Sequence, residues 1–94
     1  MNEADIRRHL AEHGIPEQMH DGLVLYLLHG VRPGHFLTAV LSNDLLEACK
    51  RGDAPNQAAL ANYIGFLYHH APLDAWGSPE TVNAWAAARQ AVTR

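Results

Sequence analysis

The chain has 94 residues, 48% of them hydrophobic, 18% charged and 7% aromatic, which gives a single domain over residues 1–94 and excludes a second folded unit or a disordered acidic tail. Seven Lys and Arg against ten Asp and Glu leave a formal charge of −3, the opposite of the basic field that a nucleic-acid polymer demands. The apolar run 23–28 is far short of the roughly 20 residues that span a bilayer, the polar residues 1–8 lack the order of a secretory signal, and the single Cys49 fits a reducing cytosol.

Alanine, the best helix former, occupies fifteen positions, and β-branched residues never alternate in a run, so the chain reads as all-α. The first helix is expected over residues 3–13, with Ile6 and Leu10 as its apolar stripe and Gly14 as its stop, and at the periphery. Pro16 suits the first turn of a second helix that runs to Gly30. The centre of that helix is apolar around its whole circumference, more than one small core covers, so its surplus surface is expected to pack on another copy of the chain.

A third helix is expected to begin after Arg32-Pro33-Gly34 and to run to about Lys50, burying Leu37, Leu41, Leu45 and Ala48 with Phe36 and Val40 alongside. Ser42, Asn43 and Asp44 then fall in mid-helix as a polar strip, facing water or cross-linking subunits. Gly52 and Asp53 close this helix. Residues 54–70 read as a fourth, with Leu60, Tyr63, Ile64, Leu67 and Tyr68, stopped by Pro72. After a turn over residues 72–77, Ser78-Pro79-Glu80 joins an N-cap hydroxyl, a proline at the first helical position and an early acid. The last helix runs from there to about Val92, with Val82, Trp85 and Ala86 inward. The expected fold is a small helical protomer with antiparallel helices, assembling into a compact homo-oligomer.

The segment Arg32-Pro33-Gly34-His35-Phe36-Leu37-Thr38 places a flexible residue at a helix start, where backbone amides are free to meet an anion. Thr38 adds a hydroxyl and Arg32 a charge-assisted contact. The plainer alternative is a helix-entry turn whose Phe36 and Leu37 serve the core. His35, Phe36 and, on the preceding helix, Tyr26 are flat surfaces on which nucleobases can stack; Tyr26 and Phe36 read equally as core residues.

Of the seven histidines, His9 and His13 share a helix face at i,i+4, but no third ligand stands at a recognised spacing and no metal site is assigned. His20-Asp21 is shared with metal-dependent phosphohydrolases, which need further His and Asp ligands and a longer chain. Cys49, late in its helix, lacks the helix-start setting that activates a thiol. No catalytic residue and no cofactor is expected.

Taken together, Gly22-Leu23, Tyr26, the stretch from Arg32 through Pro33-Gly34-His35-Phe36-Leu37-Thr38 to Asp44-Leu45, and the later Trp76-Gly77-Ser78-Pro79-Glu80 resemble a family of phage proteins, the anti-CBASS sponges. The resemblance covers residues 15–85. It implies an all-helical protomer in an interlocked homohexamer in the host cytoplasm, holding cyclic dinucleotides between protomers and cyclic trinucleotides where three protomers meet. Such a protein does no chemistry: it lowers the free messenger, and the host effector stays silent. The family's loop carries two adjacent glycines, and here the second is His35. The resemblance carries Gly34, His35 and Thr38 over as the ligand-facing loop, with His20, Tyr26 and Arg32 as candidates for an aromatic and a basic contact. A small adaptor that binds a host protein, or a metal-dependent phosphodiesterase using His20 and Asp21, are the alternatives.

Overall fold

The computed structural model describes residues 1–93, and the regular elements among them are all helical. Helix α1 (Glu3–Glu12) starts where the Asn2 side chain accepts the Asp5 amide at 2.8 Å, and it buries Ile6 and Leu10. A 3-10 turn (Glu17–Met19) leads into α2 (His20–His29), which ends at Gly30 with φ 70°. Helices α3 (His35–Leu41), α4 (Leu45–Arg51), α5 (Ala54–Ala58) and α6 (Leu60–His70) follow. A second 3-10 turn (Leu73–Ala75) and α7 (Pro79–Thr93) complete the chain.

The expected third helix is two helices. Asn43 stands in the left-handed region at φ 62°, and its amide and that of Asp44 fold back onto the carbonyls of Val40 and Ala39 at 3.1 and 2.9 Å, closing α3. Asp44 then caps α4 by accepting the Glu47 amide at 3.2 Å. Ser42, Asn43 and Asp44 are therefore a corner and not a mid-helix strip. The corner re-aims α4, so Leu45, expected in the core, is 68% exposed, while Ala48 stays buried. The fourth helix is also interrupted, at Ala59, where α5 gives way to α6. Asn56 of α5 is buried and accepts the Tyr63 hydroxyl at 2.7 Å. Ile64 and Tyr68, named with the apolar residues of this helix, face outward, with Tyr68 70% exposed.

Helix α2 runs through the middle. It packs against α1 on one side and α7 on another, so Leu23, Val24, Tyr26 and Leu27 are buried, Leu28 is half-buried and Leu25 is exposed. Its all-round apolar surface is thus satisfied largely within one chain, with Leu25 the apolar side chain it leaves exposed. Helix α7 lies close because Gly30 has no Cβ: one built there would sit 2.5 Å from the Ala86 carbonyl oxygen. Val82, Trp85 and Ala86 are buried as expected, and Trp85 Nε1 donates to the Tyr26 carbonyl at 3.2 Å. The Gly77 amide donates to the Leu41 carbonyl at 2.8 Å, fastening the start of α7 to the end of α3. Among the described residues no helix is long and apolar enough to cross a membrane.

Candidate functional site

Residues 30–34 leave α2 without regular structure and turn into α3 at Gly34, whose φ of −67° and ψ of −179° are those of an extended N-cap with no side-chain cap. The first helical donor is the Thr38 amide, bonded to the Gly34 carbonyl at 3.0 Å; the amides of His35, Phe36 and Leu37 precede it and have no intrahelical acceptor. No heavy atom lies within 4 Å of where a Gly34 Cβ would stand, so the approach to this backbone is open. The Thr38 hydroxyl donates to the Pro33 carbonyl at 3.3 Å, which leaves its lone pairs, and not its proton, turned to a ligand.

His35 and Thr38 line a shallow hollow of about 210 Å³ together with Ser42, Asp44, Glu47, Arg51 and Pro79. Pro79 belongs to the Trp76–Glu80 segment, so this segment and the loop at residues 32–38 meet here. One wall carries charge: Glu47 accepts from Arg51 at 3.3 Å and lies 3.9 Å from Lys50. These pairs are exposed and contribute at most about 1 kcal/mol each. The sequence did not bring Arg51, Asp44 or Glu47 to this hollow, because a continuous helix through residues 42–44 carries α4 elsewhere. The signal was present in Asn43-Asp44, a residue that tolerates left-handed backbone followed by one that caps a helix.

The other expected residues divide. Arg32 donates to Asn83 Oδ1 at 2.6 Å, which ties the loop to α7 while the guanidinium remains exposed. His20 Nε2 donates to the Ile15 carbonyl at 2.8 Å, and Asp21 pairs with Arg7 at 2.8 Å; each is engaged in holding α1 and its exit to α2. Tyr26 is fully buried, its hydroxyl donating to the Ala75 carbonyl at 2.6 Å, and burial pushes its pKa up to about 12. Phe36 is buried edge-on to Tyr63, ring centroids 5.4 Å apart. Neither ring is open to a nucleobase in this chain; both are core aromatics. What remains at the surface is Gly34, His35 and Thr38, with Arg32 beside them.

Two larger hollows lie elsewhere. One, about 680 Å³, runs along α7 past Asp74, Glu80 and Trp85, where the Arg89 guanidinium lies 4.2 Å over the Trp85 ring. The other, about 470 Å³ and mainly apolar, lies between Leu45, Ile64 and Trp76. Neither is lined by residues 32–38. Among the described residues no three His, Cys, Asp or Glu side chains are grouped to hold a metal ion. Compared with family models, curated proteins and solved structures, the chain finds no match.

Proposed function

We propose that the chain is a phage-encoded, non-enzymatic sponge that sequesters cyclic di- and trinucleotide messengers in the host cytoplasm and so blocks CBASS-type antiviral signalling. The observation that carries the reading is the meeting of its two family-like stretches in space: Pro79 lines the same hollow as His35 and Thr38, and the Gly77 amide is bonded to Leu41 at 2.8 Å. A phosphate approaches the backbone at Gly34, where no Cβ intervenes, with His35 and Arg32 able to add hydrogen bonds and charge. Because Tyr26 and Phe36 are buried in every copy, the flat contacts for the bases come from His35 and from an exposed ring of a neighbouring copy such as Tyr68, which makes assembly part of the site. The proposed assembly is a compact homohexamer of protomers with antiparallel helices. Stacking at roughly 1–3 kcal/mol per base plus charged phosphate contacts then reaches the roughly −12 kcal/mol of nanomolar binding.

The test is calorimetry with a panel of cyclic di-, tri- and tetranucleotides, followed by heating the complex and recovering the ligand. Tight binding of cyclic di- and trinucleotides with intact recovery is expected. Recovery of linear nucleotides would overturn sequestration in favour of a phosphodiesterase. No heat from any messenger would leave the adaptor reading, which the exposed Leu45 and Leu46 on α4 favour.

A further inference from the structure

Four of the seven histidines, far apart in sequence, gather where the end of α1 meets the end of α6. His13 and His70 face each other with their Nε2 atoms 3.1 Å apart. That hydrogen bond needs one nitrogen with a proton and one without, so two imidazolium ions cannot make it. The His9 ring lies flat on His70, centroids 3.7 Å apart and 9° from parallel, and His69 is 6.1 Å from His13 and 6.2 Å from His70. Phe66 closes the underside of the group, 6.2 Å from His13 and 6.0 Å from His70.

We propose that these histidines are a proton-sensitive latch: neutral, they hold the end of α1 on α6, and protonated, they release it. The charged and titratable groups facing the cluster are Arg8 and Glu12 from α1 and Tyr68 from α6. Glu12 accepts from His9 Nδ1 at 2.8 Å, so one carboxylate compensates one imidazolium; further protons on His13, His69 and His70 meet like charge at ring-contact distance. Partial burial, then His9, His13 and His69, hold His70 below the ordinary histidine value, with Glu12 opposing. The unfolded chain therefore takes up that proton more readily than the folded one. Stability from the latch is present above the ordinary value of about 6.5 and is lost as pH falls below it.

The latch is local, because α2 and α7 are joined through Trp85 and Tyr26 and not through the cluster. Amide hydrogen exchange on the full chain, corrected for intrinsic rates, tests it at pH 7.5 and 5.5. Protection of the α1 amides is expected to fall about tenfold relative to those of α2 and α7, and the double variant His13→Asn, His70→Gln is expected to abolish that difference. The exposed His29→Gln retains it. Equal protection of α1 at both pH values, or the same fall in the double variant as in the parent, would overturn the proposal. If the double variant does not fold, NMR titration of the parent decides. A His70 ring that titrates at or above the ordinary histidine value, or α1 signals that do not move with it, counts against the latch.

Discussion

Gly30 and Gly34 flank one short loop and are subject to opposite constraints. At Gly30 a side chain costs about 1–2 kcal/mol for left-handed backbone, and its Cβ would stand 2.5 Å from the Ala86 carbonyl and 2.8 Å from Arg89 Cβ. Gly30→Ala is expected to lose at least about 2 kcal/mol in urea unfolding. Gly34 has an ordinary φ of −67° and open space around it, so Gly34→Leu is expected to unfold within about 0.5 kcal/mol of the parent. If the loop meets phosphate, the same variant weakens cyclic-nucleotide binding about tenfold or more, near 1.4 kcal/mol. An unchanged affinity by calorimetry would remove the loop from the site. Tyr26→Phe is a third case: it leaves the buried Ala75 carbonyl without its 2.6 Å partner, a loss of about 1–3 kcal/mol that thermal unfolding will register.

Where helices begin and end was legible where the signal is covalent or conformational, as at Pro72, Ser78-Pro79 and Gly30, because proline and left-handed glycine act without help from the rest of the fold. The corner at residues 42–44 was written in the sequence but outweighed by the leucine spacing on either side, Leu37, Leu41 and Leu45, which reads as one stripe. Asn43→Gly is expected to match or exceed parent stability by up to about 1 kcal/mol, and Asn43→Val to lose about 1–2 kcal/mol. Asp44→Ala, which removes the α4 cap, is expected to lose about 1 kcal/mol in the same unfolding measurement. The break at Ala59 carries no such mark: alanine favours helix, and the hydrogen bond of Tyr63 to Asn56 across the break is not announced by the apolar spacing. Much the same holds for the candidate site. Gly34, His35 and Thr38 are contiguous and were readable together, whereas Arg51 and Pro79 reach the hollow only through the corner and through the tie of Gly77 to Leu41.

At the scale of the whole molecule, an all-round apolar helix has two outlets, the centre of its own chain or the surface of another, and the sequence does not choose between them. The structure gives most of α2 the first and leaves Leu25 at the surface, so the proposed assembly draws mainly on other surfaces. The face between α3, α4 and α6 differs from ordinary surface: Leu45 and Ile64 rim its apolar hollow, and Trp76 Nε1 beside it is buried with no hydrogen-bond partner among the described residues. An unpaired buried donor costs about 1–3 kcal/mol, and a second chain seated on this face would cover the exposed leucine. Leu45→Glu separates folding from assembly, since a side chain 68% exposed contributes little to the core of one chain. Light scattering is expected to give the parent a mass several times 10.4 kDa and the variant a lower one, with helix content unchanged by circular dichroism. A parent that runs at the mass of one chain would deprive the messenger site of a neighbour's exposed ring such as Tyr68, which it needs because Tyr26 and Phe36 are sealed inside every copy.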